Sequence, residues 1–404
     1  MKRIISIICV FCLVLAGISV FGDTAGASDE KMLYLSFAKI EGLVVNDNLA
    51  YRNNVRTINN LSDAISNDTF SALLLSRNQL QQLMSETQTV YIGLLTPENL
   101  ASTDPVMNAL LPGVRKSLEN DIGSYLASIK QIDMQIDQFY ITPRVTIDTT
   151  IQQLEYYNKQ IVWGVESLFM GYHTLTRQLD MAEENLKVLD GNIKAMEQRF
   201  LLGQITEAAL LDIKSTRAAL DLGIRSMKTE LANLEGQLNM LINRNHDAPL
   251  DIEKMPETEI GFLKTVDAEK DLRLAKTRNH LIAVAEIEIE EYSRSFSDSN
   301  LTKLRIAENN YISEVRTVEF KYESLSRAIA DKEAMLDSAK TLLGLRQKLL
   351  EETKVKYGLG MVSKLDVDKA ESDLLLQTIN VSAANAELFA AIRRYEWLVR
   401  GIGV

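Results

Sequence analysis

The stretch Phe200-Leu-Leu-Gly-Gln-Ile-Thr206 decides the fold of this chain, because Tyr357-Gly-Leu-Gly-Met-Val-Ser363 repeats its pattern 157 residues later. Each stretch has an aromatic residue, a glycine three positions on, and a hydroxyl residue three positions after that glycine. Glycine often ends a helix because it adopts positive φ without strain, and Ser or Thr caps the helix that follows. Both stretches therefore predict a tight turn between two helices.

Residues at alternating steps of three and four form an apolar seam after each turn, and each seam has one polar member. The first series is Leu210, Ile213, Arg217, Leu220, Ile224, Met227, Leu231, Leu234, Leu238 and Leu241; the second is Val367, Ala370, Leu374, Gln377, Val381, Ala384, Leu388, Ala391, Tyr395 and Leu398. A repeat of 3.5 residues over more than four heptads is typical of helices that pack through one seam. The same alternation precedes the turns, and it predicts seams that reach Phe200 and Tyr357.

Prolines are absent from residues 144–248 and 257–404. An interior proline removes a helical hydrogen bond and clashes with the preceding turn, so its absence permits long helices. The sequence predicts an all-α fold of duplicated long helical hairpins, which together form an elongated coiled-coil bundle. Arg217 and Gln377, the polar seam members, have two interpretations: they set the register of the hairpins, or they face a lumen.

The amino terminus has the features of a secretory signal peptide. Lys2 and Arg3 precede an apolar run from Ile4 to Phe21, and the small-residue site Ala25-Gly-Ala27 follows. We expect cleavage after Ala27. A retained membrane anchor is the alternative.

Cys9 and Cys12, the two cysteines of the chain, would leave with this peptide. Disulfides and thiolate chemistry are therefore not expected. The net charge of −11 becomes −12 once Lys2, Arg3 and Asp23 are removed. An acidic exported chain is a poor candidate for binding nucleic acid.

The repeat and the prolines divide the chain into five parts. We predict a signal peptide at 1–27, an N-terminal helical region at 28–113 that is irregular at 65–113, a first repeat at 114–248, a linker at 249–270 and a second repeat at 271–404. The linker is expected because Pro249 and Pro256 lie between the two copies.

The offset of 157 also predicts equivalent short segments before the long helices. A helix at 114–138 would correspond to one at 271–295. Short turns would then follow at 139–145 and at 296–302 before each long hairpin begins.

Residues that could carry catalysis or bind a metal are scattered. His173, His246 and His280 lie far apart, and no His-x-x-x-His or Glu-x-x-His spacing is present. Gly358-Leu-Gly360 has no third glycine and is preceded by a helical pattern, so it indicates a hairpin turn rather than a nucleotide loop. We expect no catalytic, cofactor-binding or metal-binding residues and no enzymatic activity.

This layout resembles the TolC family of outer-membrane efflux channels, in which two tandem repeats each contribute a long helical hairpin. The family turn has an aromatic residue, a glycine, a hydroxyl residue and an apolar pair. Here the matching residues are Phe200, Gly203, Thr206 and Leu210 in the first copy, and Tyr357, Gly360, Ser363, Leu365 and Val367 in the second. The short helices that open each family repeat are similar to the segments ending at Asn48-Leu49 and at Asn279 with Leu281.

The family also inserts two β-strands per repeat between the paired helices. A membrane-spanning strand needs about 9–11 residues. The segments 139–145 and 296–302 are too short for two such strands each, so we expect helical hairpins without strand pairs.

The resemblance implies a passive conduit in a tripartite export system, located in the cell envelope at the periplasm or outer membrane. Its implied partners are a periplasmic adaptor, an inner-membrane pump and two further copies in a homotrimer, because six hairpins can close an α-barrel. The adaptor would bind the hairpin tips, at Phe200, Gly203, Gln204, Thr206, Tyr357, Gly360, Met361 and Ser363. The alternative is a structural coiled-coil scaffold or spacer of the envelope without transport activity.

Overall fold

A computed structural model describes residues 31–62, 68–95, 105–295 and 297–403. The predicted signal peptide lies outside the described residues. The helices are α1 (Ile40–Asp47), α2 (Leu49–Ser62), α3 (Asp68–Gly93), α4 (Pro105–Ile136), α5 (Thr142–Leu201), α6 (Glu207–Leu241), α7 (Ala268–Arg278), α8 (His280–Ser293), α9 (Asp298–Gly358) and α10 (Lys364–Val399). Two three-residue strands, β1 (Leu33–Leu35) and β2 (Leu250–Ile252), pair in parallel. The prediction of an all-α fold is confirmed.

Helices α5 and α6 form the first long hairpin, and α9 and α10 form the second. All twenty seam positions from Leu210 to Leu241 and from Val367 to Leu398 are buried or half-buried. Helix α5 has 60 residues and α9 has 61. At 1.5 Å per residue each is about 90 Å long.

The two polar seam residues both bond within their own hairpin. Arg217 Nε lies 2.8 Å from Asp190 Oδ1, and Gln377 Nε2 donates to the carbonyl oxygen of Ala339 at 3.0 Å. Each bond joins the outgoing helix to the returning one. This placement agrees with the interpretation that these residues set the register.

The turn predicted at 139–145 is wrong, because the chain stays helical there. A π-helical segment, Asp137–Ile141, joins α4 to α5, and Thr142 N donates to the carbonyl oxygen of Asp137. Pro143 lies in the first turn of α5. A proline lacks an N–H and clashes with the carbonyl four residues earlier, and the wider π turn relieves both constraints.

The predicted equivalence of 114–138 and 271–295 is also wrong. Residues 114–136 belong to one unbroken helix, whereas α7 and α8 are separated at Asn279. The matching element is α1 and α2, separated at Asn48, as the family resemblance implied. Asn48 Oδ1 accepts from Tyr51 N, and Asn279 Oδ1 accepts from Leu281 N and Ile282 N. Each asparagine thus ends one helix and caps the next.

The second predicted turn, at 296–302, is shorter than expected. Helix α8 ends at Ser293, and Ser297 Oγ accepts from Asn300 N as the N-cap of α9. Residues 298–302 are therefore helical, and residue 296 lies outside the described residues. A hydroxyl side chain can start a helix without a longer loop.

The region predicted to be irregular, 65–113, contains most of a helical hairpin, α3 and α4. Helix α4 crosses the predicted domain boundary at 113/114. Pro112 lies within α4, although an interior proline removes a helical hydrogen bond. The predicted linker at 249–270 includes β2 and the start of α7.

Buried polar contacts join the two long hairpins at the end remote from their turns. Glu166 on α5 accepts from Arg393 Nη2 at 2.7 Å and from Trp397 Nε1 at 2.7 Å, both on α10. The Arg393 guanidinium also lies over the ring of Phe37, 5.1 Å from its centroid. This cluster fixes the bases of the hairpins. Among the described residues, we find no helix with the length and hydropathy needed to cross a bilayer.

Candidate functional site

The first predicted site is the tip between α5 and α6, which we call tip 1 (residues 199–207). Gly203 has φ of +67°. Its N–H donates to the carbonyl of Phe200 at 2.9 Å, and Gln204 N reaches back five residues to Arg199 O at 2.9 Å. This pattern is a Schellman motif, which satisfies carbonyls at a helix end and needs positive φ at the glycine.

Tip 2 (residues 356–366) has the same backbone geometry at an offset of 157 residues. Gly360 has φ of +73°, and its N–H donates to Tyr357 O at 2.9 Å. Met361 N donates to Lys356 O, also at 2.9 Å. The repeated glycine pattern in the sequence thus corresponds to repeated hydrogen bonds in space.

The hydroxyl residues cap the returning helices, as predicted. Thr206 Oγ1 accepts from Ala209 N at 3.3 Å. Ser363 forms a capping box: its Oγ accepts from Asp366 N at 3.3 Å, while Asp366 Oδ2 accepts from Ser363 N at 2.9 Å. Tip 1 has alanine at the third helical position, where tip 2 has an aspartate, so only tip 2 has the reciprocal bond.

Hydrogen bonds at tip 2 also shift the pKa values of two charged residues. The hydrogen bonds from the Ser363 hydroxyl and amide lower the pKa of Asp366. The hydrogen bond of Lys364 with Asp368 raises the pKa of Lys364. Both carboxylates lie in the first turns of α10, where the helix dipole favours negative charge.

The predicted seam positions nearest the tips, Phe200 and Tyr357, are exposed rather than buried. The last covered positions of the two seams lie one turn earlier, at Met196 and Thr353, which are both half-buried. Phe200 and Tyr357 belong to the last turn of their helices, α5 and α9. This result corrects the seam prediction but leaves both rings accessible at the tips.

Each tip exposes large apolar side chains that the sequence analysis did not assign to the site. Leu201 and Leu202 are 76% and 72% exposed at tip 1, and Leu359 and Leu365 are 67% and 68% exposed at tip 2. Exposed apolar groups clustered at one place commonly mark an interaction surface. Their position outside the heptad register, next to a helix end, was the signal that could have identified them.

The structure brings together the predicted residues of each tip, but it does not join the two tips. Gln204 and Met361 occupy equivalent exposed positions directly after the two glycines. Within the part of the chain that the structure describes, no hydrogen bond or ion pair links a residue of tip 1 to one of tip 2. In a single chain the candidate site is therefore two separate, equivalent surfaces.

Both tips combine exposed apolar side chains with a backbone held by helix-end hydrogen bonds. No group of three or more potential metal ligands occurs among the described residues. The tips have aliphatic, aromatic and small polar side chains on a backbone held by helix-end hydrogen bonds. Such rigid turns can present apolar groups to a partner at little cost in conformational entropy.

No family model matches the chain, and no curated protein matches it. Solved structures do resemble it. The outer membrane protein VceC of Vibrio cholerae is 11% identical, with a TM-score of 0.49 over 65% of this chain and 75% of that one. The CmeC outer membrane channel of Campylobacter jejuni is 10% identical, with a TM-score of 0.47 over 95% and 92%.

The MtrE outer membrane channel of Neisseria gonorrhoeae is 12% identical, with a TM-score of 0.39 over 90% of this chain and 89% of that one. These three solved structures are outer membrane proteins or channels.

Proposed function

We propose that this protein is an exported component of a tripartite export system, a passive conduit in the cell envelope that docks a periplasmic adaptor through its hairpin tips. An inner-membrane pump would supply the energy. Three copies would assemble with their six long hairpins side by side. The protein itself would catalyse no reaction.

The observation that carries this proposal is the equivalence of the two tips. Their glycines and backbone bonds match at one constant offset, and so do two pairs of exposed residues, Phe200 with Tyr357 and Leu202 with Leu359. A turn needs only the glycine and the cap. The additional exposure of Leu201, Leu202, Leu359 and Met361 adds a surface that turn formation does not require.

Docking can be tested by replacing exposed tip residues that make no turn-forming side-chain bond. In Gln204→Trp and Met361→Trp, we expect unchanged helicity and melting but loss of adaptor crosslinks and of export. The matched control is Leu222→Trp, at an exposed position within α6. Export and crosslinking that persist in both tip variants would exclude docking at the tips.

The conduit is tested separately by electron microscopy of the purified protein. We expect a hollow ring in end views, formed by three copies. A solid bundle or a monomer would instead support the alternative function, a structural scaffold or spacer of the envelope.

A further inference from the structure

Among the described residues, the contacts that we identify between the α3–α4 hairpin and the long hairpins lie near its base. Phe70 stacks on Tyr140 with ring centroids 4.0 Å apart, within a small core that includes Ile136, Ile141 and Val145. The π-helical segment makes α4 continuous with α5. Ser295 Oγ also donates to Asp137 Oδ1 at 2.7 Å and braces this junction. The direction of the α3–α4 hairpin is therefore fixed relative to the long hairpins.

Polar bonds hold the two helices of this hairpin to each other along its length. Arg77 Nε lies 2.8 Å from Asp133 Oδ1 near the base. Farther along, Tyr91 OH donates to Glu119 Oε1 at 2.5 Å, and Arg115 Nη2 donates to Leu94 O at 2.7 Å. These polar groups between α3 and α4 thus bond within one chain. The outer faces, which point away from the partner helix, are exposed to solvent.

Those outer faces carry large aliphatic side chains. Leu75, Leu83 and Val90 are exposed on α3, and Leu110, Val114 and Met134 are exposed on α4. The α3 residues are eight and seven positions apart, a spacing that returns to nearly the same side of a helix. Two helices can bury one face of each other, but they cannot cover a second apolar stripe.

Helix α3 of this hairpin carries few charges. Helix α3 has only Asp68, Arg77 and Glu86 as charged residues among its 26, whereas 25% of the whole chain is charged. Helices α3 and α4 together contain four basic and five acidic residues. A helix that binds an anionic membrane surface needs a basic excess, which is absent here. Helix α3, in contrast, has few charges that could oppose packing against an identical helix.

We propose that the α3–α4 hairpin is a self-association surface, and that its partner is the same hairpin of a second copy of this chain. The proposal rests on the proposed homotrimer for the number of copies, since three such hairpins make a bundle of six helices. The chemistry of the surface does not depend on that number. Because α4 and α5 are continuous, any ring of long hairpins also brings the α3–α4 hairpins of neighbouring copies side by side. Closed symmetry then places equivalent aliphatic stripes around one axis.

The first test uses cysteine crosslinking in the full chain with Cys9 and Cys12 replaced by serine. A short bis-maleimide should join copies carrying Leu83→Cys or Val90→Cys. Gln88→Cys is the control, because residue 88 is exposed but lies about 140° around α3 from residue 83. Crosslinking that is absent at 83 and 90, or equal at 88, would overturn the proposal.

A second test changes charge with a matched control. Leu83→Glu with Val90→Glu should weaken self-association in sedimentation by about tenfold or more, because carboxylates would be buried without partners. Gln81→Glu with Gln88→Glu adds the same charge at the same spacing on the other side of α3, and it should change little. Circular dichroism of both variants checks that the helices remain folded.

The outcomes separate this proposal from the proposed function. A hollow trimer that survives Leu83→Glu with Val90→Glu at full affinity would exclude the α3–α4 interface and leave the conduit intact. Flotation with vesicles of phosphatidylcholine and phosphatidylglycerol gives the other contrary result. If wild type but not this variant floats while their self-association is equal, the stripe binds lipid instead.

Discussion

Lys214 Nζ lies 2.7 Å from Glu197 Oε1 across the first long hairpin, and the residues 157 positions later form the same ion pair with reversed charges. In the second hairpin, Lys354 replaces the glutamate and Glu371 replaces the lysine, at 2.9 Å. The two hairpins share one apolar register, so their seams alone would allow α5 to pair with α10. That pairing would place Glu197 opposite Glu371, and the like charges oppose it.

Reversing this pair should show that it couples α5 to α6. Glu197→Lys and Lys214→Glu should each lower the free energy of unfolding by up to about 1 kcal/mol, because the pair is exposed and screened. The double variant should recover most of the loss. A double-mutant cycle from urea denaturation measures this coupling. Losses that simply add in the double variant would contradict the assignment.

Removing Glu166 should destabilise the junction between the long hairpins. Glu166→Ala leaves the Arg393 guanidinium and the Trp397 indole N–H without their acceptor in a buried site, and it should cost about 3–5 kcal/mol. Denaturant unfolding gives the value, with Glu166→Gln expected to lose less. Glu396→Ala is the control, since Glu396 contacts Arg393 from a more exposed position. An equal loss in Glu166→Ala and Glu396→Ala would contradict the central role of Glu166.

Two glycines of positive φ should differ sharply in their tolerance of alanine. Gly401 has φ of +95°, and a Cβ there would lie 1.9 Å from the carbonyl oxygen of Arg278. A Cβ on Gly203 would meet no atom within 4 Å. Gly203→Ala should therefore cost about 1 kcal/mol of backbone strain, and Gly401→Ala roughly 3 kcal/mol or more through strain plus the clash. Thermal unfolding of the two variants compares them, and similar melting temperatures would be the contrary result.

Burial of His280 should make stability depend on pH. Its ring stacks on Tyr156 with centroids 3.6 Å apart, and burial together with the charge of Lys159 lowers the pKa of His280. Because the pKa of His280 is lower in the folded state, folding favours the neutral imidazole. This contribution to stability is fully present above the unfolded pKa of about 6.5. The contribution is lost as pH falls through the folded pKa.

His280→Gln should therefore reduce the loss of stability between pH 7.5 and pH 5.5, relative to wild type. Denaturant unfolding at both pH values measures this difference. A His280→Gln protein with the full wild-type decrease would contradict the prediction.

The local features of this fold were determined by the sequence itself. Gly203 and Gly360 end helices through hydrogen bonds that reach back no more than five residues, and Thr206 and Ser363 cap through bonds that reach three. The seams repeat every 3.5 residues. Such interactions depend on neighbours along the chain, so spacing alone predicts them.

Tertiary structure decided how these pieces join and which surfaces stay open. Glu166 and Arg393 are 227 residues apart, and no local periodicity predicts their contact. The π-helical segment Asp137–Ile141, where the sequence predicts a turn at 139–145, contacts Phe70 and Ser295, which are distant in sequence. Leucines at the tips and on α3 are exposed because no other described part of the chain covers them. Burial is a property of the assembled molecule, and the sequence encodes it through contacts that only folding brings together.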